Sequence, residues 1–346
     1  PYYLGVKVGS DSEMTPRLPL TSTGYAFRAA QADGLSSTWT ITATNAIVST
    51  VPTGGAPLQV TSTTMVPNLN SEMVGGMHAT DFMAKAGDTM TGTLNLPSLQ
   101  LPATTASTGI IYQGSNRLIH TYGADNFFAG TDAGNLAMTG GMNTAVGNYA
   151  LYSNTNGFYN TASGDGALNA NTTGIANTAS GFQALFSNTI GDANTASGSQ
   201  ALFSNTTGFL NTAIGNYALN SNTTGTYNTA IGANSLQRNT TGFLNTAIGY
   251  FALVNNTTGY LNTAVGYETL YVNATGYGNT ASGYHALYSN WTGSNNTAIG
   301  YNADVSSSGL TTATAIGNGA IAPSSNSVRI GNTSVTFIGV HVGLTP

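Results

Sequence analysis

NTAIGNYALNSNTTGTY (residues 211–227) runs without a gap into NTAIGANSLQRNTTGFL (residues 228–244), and NTAIGYFAL begins again at Asn245. This stretch decides the fold. Asn precedes Thr-Ala at Asn143, Asn160, Asn177, Asn194, Asn211, Asn228, Asn245, Asn262, Asn279 and Asn296, each 17 residues after the last. The consensus is N-T-A-[IVS]-G-x-x-A-L-x-x-N-x-T-G-x-x. A weaker copy, NFFAGTDAGNLAMTGGM, begins at Asn126, and another, ATAIGNGA, begins at Ala313. About twelve units thus cover residues 126–329, until SVRIG (residues 327–331) arrives early and breaks the period.

A unit of this length is too short for a helical-hairpin repeat, and its Gly, Asn and Thr disfavour helix. It suits one coil of an all-β, parallel β-solenoid (a β-roll or β-helix), with short strands between tight turns. Coils stacked at about 4.8 Å would rise on the order of 60 Å over twelve units. The columns of such a stack have distinct jobs. Gly147, Gly164 and Gly181 through Gly300 form one Gly column and Gly157 through Gly293 another, each implying positive φ or close backbone approach. The Ala column from Ala145 to Ala298 admits only a methyl group. Leu151, Leu168, Leu185, Leu202, Leu219, Leu236, Leu253, Leu270 and Leu287 are the expected apolar filling. Val146, Ile214, Ile231, Ile248, Val265 and Ile299 alternate with the Ala column and should face the other way. So small a coil cannot bury both faces, and this second face is expected to pack against other chains, most simply in a homotrimer. These ten Asn, from Asn143 to Asn296, and a second column from Asn154 are expected at turn positions, bonding amide to amide from coil to coil.

Outside the repeat the pattern changes. Residues 1–35 read as an adaptor with a strand in YYLGVKV and a short helix in YAFRAAQA. Residues 36–125 read as an irregular β-rich stalk, with short strands over 36–75, a brief helix in HATDFMAK, and strand-like alternation over 100–125. Residues 330–346 form an exit strand.

Composition narrows the function. Only 7 Lys/Arg and 12 Asp/Glu occur in 346 residues, against about one-quarter charged in an ordinary domain. The 18 Tyr and 12 Phe argue against disorder, and no apolar run approaches the ~20 residues of a spanning helix. With a net charge of −5 and no basic cluster, the chain lacks the footprint of a nucleic-acid binder. Cysteine is absent, which excludes thiolate chemistry and disulfides. The chain starts at Pro1 without a charged n-region and apolar core, so a signal peptide is expected to have been removed or to lie upstream.

No catalytic constellation emerges. His78, His120, His285 and His341 are scattered without metal-ligand spacing, and no cofactor or metal is expected. Asp132, Asp165 and Asp192 fall at different repeat positions, a poor start for a carboxylate pair. Asn-Thr-Thr triplets match a glycosylation sequon, but the repeat generates them automatically. Aromatics recur at Tyr250, Tyr267, Tyr284 and Tyr301, at Phe186, Phe203, Tyr271 and Tyr288, and at Phe158, Phe209, Phe243, Tyr260 and Tyr277. They serve either as ladders between coils or as a stripe adhering to carbohydrate surfaces, Tyr250 to Tyr301 being the candidate stripe. The Thr column from Thr144 would also suit an ice-ordering array, though strand propensity accounts for it.

GDTMTGTLNL (residues 87–96), preceded by NLNSEMVGGMHATDF, resembles a short module repeated in phage tail fibres. The repeated NTAIG, closing in AIGNGAIAPSSNSVRIGN, is similar to the head repeats of trimeric autotransporter adhesins, whose usual period is shorter. With YLGV, EMTPR and YAFRA, the whole resembles secreted bacterial fibre proteins that continue into an endosialidase-type intramolecular chaperone. The resemblance implies a homotrimer, a left-handed roll, and autocleavage leaving Pro346 as a mature end. The expectation is an extracellular or cell-surface structural and adhesive fibre without catalysis. Its partners would be itself, as trimers or head-to-tail polymers, and surface glycans. The alternatives are a virion tail fibre reading a host glycan and a tailspike-like polysaccharide depolymerase.

Overall fold

The computed structural model describes residues 2–4, 18–20 and 98–338. The chain divides into two units, Pro1–Asn95 and Leu96–Pro346. In the first, β1 (Tyr2–Leu4) pairs antiparallel with β2 (Leu18–Leu20), with Tyr2 opposite Leu20. The strand expected in YYLGVKV is present over these residues. The helices expected in YAFRAAQA and HATDFMAK, the strands over 36–75 and GDTMTGTLNL lie outside the described residues. There is no helix among the described residues.

The second unit is a parallel β-solenoid. It opens with an antiparallel hairpin, β3 (Ile111–Gln113) and β4 (Asn116–His120), and β4 pairs antiparallel with β5 (Phe127–Ala129). Parallel stacking then begins. β6 (Thr144–Val146) lies on β5, followed by β7 (Thr161–Ser163), β8 (Thr178–Ser180), β9 (Thr195–Ser197) and β10 (Thr212–Ile214). Next come β11 (Thr229–Ile231), β12 (Thr246–Ile248), β13 (Thr263–Val265), β14 (Thr280–Ser282) and β15 (Thr297–Ile299). A short β16 (Asp304–Val305) pairs parallel with β18 (Ile321–Ala322) beside the main sheet, which β17 (Thr314–Ile316) and β19 (Val328–Ile330) complete. Because the period never slips, Thr pairs with Thr and Ala with Ala from β6 to β17. The early SVRIG makes a final coil three residues short: Thr314 pairs with Val328 and Ile316 with Ile330.

Thr-Ala-[Ile/Val/Ser] sets β-branched or small side chains around a central Ala, and these extended-friendly residues form the strand. The following Gly ends it with φ between 110° and 139° from Gly147 to Gly317, a region closed to side chains. Three more left-handed positions bend each coil over residues 126–295, two of them usually occupied by non-glycine residues such as Tyr217 (φ 56°) and Leu210 (φ 55°). The third is the Leu column itself, with φ near 50° at all nine leucines. Left-handed backbone costs a leucine roughly 1–2 kcal/mol, and full burial of its side chain, worth roughly 1.5–3 kcal/mol, offsets this.

All nine leucines are fully buried, as are the Ala column and a second small column from Ala150 to Ala303. The first coil solves the same volume differently. Phe128 occupies the Ala column and Gly134 the Leu column, where a Cβ would lie 2.6 Å from the Phe128 ring.

The Asn columns are not at the surface of the turns. Every Asn from Asn143 to Asn296, and from Asn154 to Asn290, is fully buried, with its side chain inside the coil. Asn160 Nδ2 donates to Asn143 Oδ1 (3.2 Å) and to the Gly174 carbonyl (2.8 Å), and Asn160 Oδ1 accepts from Asn177 N and Nδ2. In the second column Asn171 Nδ2 donates to Asn154 Oδ1 (2.8 Å) and to the same Gly174 carbonyl (3.1 Å). Gly174 is therefore the hub between two amide ladders, which explains its column. No positive φ is needed there, but a Cβ would collide with Asn171 Oδ1. Among the described residues no buried side-chain nitrogen or oxygen lacks a partner.

The hairpin end is sealed by His120, which is buried against Phe128 with ring centroids 4.8 Å apart. Its Nδ1 accepts from Tyr122 N (3.3 Å) while Nε2 donates to the Ala133 carbonyl (2.8 Å), a pattern only the neutral ring satisfies. Burial holds its pKa below the ordinary 6.5, against the opposing pull of the Ala133 hydrogen bond. Unfolded chains then bind the proton first, so stability is lost as pH falls from about 6.5 through the lowered folded value. Thermal melts should show a lower Tm at pH 5 than at pH 7.5, and His120→Gln should flatten that difference.

Candidate functional site: the outward-facing columns

With Leu, Ala and Asn inside, function falls to the side chains that alternate with them. Each strand shows the pattern outward-inward-outward, Thr and Ile/Val/Ser facing out on either side of a buried Ala. Val146, Ile214, Ile231, Ile248, Val265 and Ile299 are 37–46% exposed, so the single chain leaves this face uncovered. The row is uneven. Ile214, Ile231, Ile248 and Val265 stand on four successive strands, whereas Ser163, Ser180 and Ser197 hold the same place on β7 to β9.

The aromatic columns form ladders. Tyr250, Tyr267, Tyr284 and Tyr301 stack at 5.6, 5.2 and 5.1 Å between centroids, with planes within 25° of parallel. Phe243, Tyr260 and Tyr277 stack at 4.9 Å and 2°, Phe186 with Phe203 at 5.3 Å, and Tyr271 with Tyr288 at 5.2 Å. The four tyrosines are 41–53% exposed, but their faces are turned along the stack onto one another. What they offer solvent is edges and hydroxyls. A sugar packs its C–H face on a ring face, so the interior of this ladder is a poor platform for it. Beside the ladder His285 Nε2 meets Glu268 Oε2 at 2.8 Å, and Asp304, in the Leu column, accepts from Ser289 N (3.1 Å) and Val305 N (2.8 Å). Burial pushes the Asp304 carboxyl up, against these hydrogen bonds.

The remaining titratable groups are held separately. Asp165 Oδ2 accepts from Asn148 Nδ2 (3.4 Å), Asp192 Oδ1 from Ile175 N (2.7 Å), and Asp132 pairs with Arg117 (3.2 Å). His78 and His341 lie outside the described residues, within which no three His, Asp or Glu converge as a metal site would require. No family model matches this sequence, and no curated protein matches it. No helix among the described residues is long and apolar enough to cross a membrane.

Sequence reasoning missed one feature of this surface. Trp291, Ala274 and Arg238 break the two columns that flank the buried Asn154-to-Asn290 ladder. The signal was available as departures from consensus, which a search for recurrence passes over.

Proposed function

We propose that this chain is a non-catalytic building block of an extracellular fibre, self-assembling as a homotrimeric shaft or a head-to-tail filament. The observation that carries this is the apolar row Ile214, Ile231, Ile248 and Val265, outward on successive strands of a solenoid whose own core is already complete. Apolar atoms in an unbroken line on a rigid face gain by burial against another such face, at about 25 cal/mol per Å² removed from water. A second copy offers the same row at the same 17-residue spacing, so Ile214, Ile231, Ile248 and Val265 can each meet an equivalent. Support for a structural role comes also from the coil-to-coil bonding, in which almost every group addresses only the neighbouring coil, as suits a scaffold that transmits length. The extracellular setting accords with a surface wetted by amides and hydroxyls and with the resemblance to secreted fibre proteins.

The test is the native mass. Sedimentation equilibrium of the purified chain should give three copies, and negative-stain images should show rods or filaments of rods. Ile231→Lys with Ile248→Lys should reduce the assembly to monomers while leaving the β circular-dichroism signal unchanged. A native protein that is monomeric at tens of micromolar would refute the trimer.

A further inference from the structure

Columns 11 and 13 of each coil face outward on either side of the second buried Asn column. In most coils they carry Ser and Thr, and the Thr Oγ donates to a carbonyl of the next coil, from Thr155 to Thr172 O (3.0 Å) through Thr257 to Ala274 O (3.0 Å). Then the pattern is abandoned. Arg238, Asn255 and Val272 replace Ser in three successive coils, and Thr gives way to Ala274 in the same coil as Val272 and to Trp291 in the coil after it. These residues and Thr257 line a shallow groove of about 400 Å³.

We propose that this groove binds a carboxylated sugar. Trp291 is 59% exposed and, unlike the stacked tyrosines, makes no ring-to-ring contact among the described residues. The small Ala274, one coil below it, leaves room where a Thr would stand. Trp presents an apolar body with one N–H, suited to a ligand with an apolar face and a polar rim. Arg238 is the one cation between Arg117 and Arg329. Its Nη1 is steadied by Asn255 Oδ1 (3.0 Å), which the Asn255 Nδ2 bond to the Tyr271 carbonyl (2.8 Å) holds in turn. No carboxylate of the described residues pairs with it. A guanidinium so oriented, with donors to spare, is built to take a carboxylate in two parallel bonds.

The sugar class follows from combining these parts. A pyranose lays its C–H face on the indole, an acidic substituent reaches Arg238, and hydroxyls find Thr257 and the indole N–H. An acidic peptide would satisfy Arg238 but has no flat apolar face for the ring. The open groove suits a residue within a chain rather than an enclosed metabolite. Thr257 stands nine residues on from Ile248, about half a circuit of the coil, so the groove stays open when the Ile/Val row is covered. The proposal does not depend on the number of chains in the assembly.

Restoring the repeat consensus erases the site without threatening the fold. Arg238→Ser and Trp291→Thr each install the consensus residue of the column, carried by Ser221 one coil before Arg238 and by Thr257 two coils before Trp291. Saturation-transfer NMR of the intact chain with trigalacturonate should show transfer from the indole to the sugar ring protons, with affinity in roughly the millimolar range. Arg238→Ser should weaken it about tenfold and Trp291→Thr should abolish it, while neutral galactotriose should bind at least tenfold more weakly than trigalacturonate. Absence of transfer at 10-millimolar-scale sugar, or equal affinities in native and consensus-restored proteins, would overturn the proposal. Equal binding of neutral and acidic sugars would overturn the assignment to Arg238. A monomeric native chain that still bound trigalacturonate would sink the fibre trimer and leave this site standing.

Discussion

Asn228→Leu should destabilise the solenoid by roughly 3–5 kcal/mol and split its unfolding into two transitions. Asn228 is a middle rung. Its Nδ2 donates to Asn211 Oδ1 (3.1 Å) and Gly242 O (2.8 Å), and its Oδ1 accepts Asn245 N (3.0 Å) and Asn245 Nδ2 (3.1 Å). Most partners keep a second bond after the substitution. Gly242 O still receives Asn239 Nδ2, Asn211 Oδ1 still receives Asn228 N, and Asn245 Nδ2 still reaches Gly259 O. Asn245 N–H keeps nothing, and an orphaned buried donor costs about 1–3 kcal/mol by itself, with the lost bonds adding about 1 kcal/mol each. Asn216→Leu, at an exposed position in the preceding coil, should change stability by less than about 0.5 kcal/mol. Urea titrations followed by circular dichroism would measure both, and equal effects would mean the ladder carries no special weight.

Gly215→Ala should be as damaging, by a different route. Gly215 has φ +137°, and an added Cβ would lie 2.6 Å from the carbonyl carbon and oxygen of Gly232 in the next coil. Backbone strain and overpacking together give a cost of roughly 3–6 kcal/mol. Gly166→Ala is the informative contrast. Its φ of +66° is one that Gln183 and Tyr149 adopt at the same repeat position, and its nearest neighbours are Phe186 ring carbons at 3.2–3.3 Å, which can give way. That change should cost about 1 kcal/mol. Chemical denaturation of the two variants should separate them clearly, and the ranking reversed would show that coil spacing is softer than the glycine column implies.

Much of the architecture was legible because the period is strict. An unbroken 17-residue spacing admits one register, and Ala145, Leu151 and Gly147 could be assigned to core and corner by size alone. The amide columns were harder. The bonding of Asn143 from coil to coil was readable from its recurrence, but its full burial was not. Buried polar groups are costly unless every donor and acceptor is partnered, and the Gly carbonyls that complete the set cannot be read from spacing. The left-handed backbone of Leu151 was equally hidden, since leucine has no local reason to adopt it. The tyrosine stripe was found by recurrence, but that its faces are shut depends on χ angles that no spacing encodes. Arg238 and Trp291 went unread for the opposite reason: they do not recur.

The two amide ladders have a consequence of their own. In both, each Nδ2 points toward the N-terminal neighbour and each Oδ1 toward the C-terminal one, through eight successive side-chain links. The parallel strands cancel much of their own polarity by bonding alternately up and down, as Thr212 N does to Asn228 O and Gly215 N to Ser197 O. The Asn columns do not cancel. Their dipoles add head to tail, as peptide units do along an α-helix, with the positive pole at the hairpin end. At the other pole the ladders are tied off, Asn296 Nδ2 donating to Asn290 Oδ1 (3.1 Å) and Ala313 N to Asn296 Oδ1 (2.8 Å). A protein with hardly any formal charge thus carries a fixed axial electric polarity, and a field applied across a solution of it should align it.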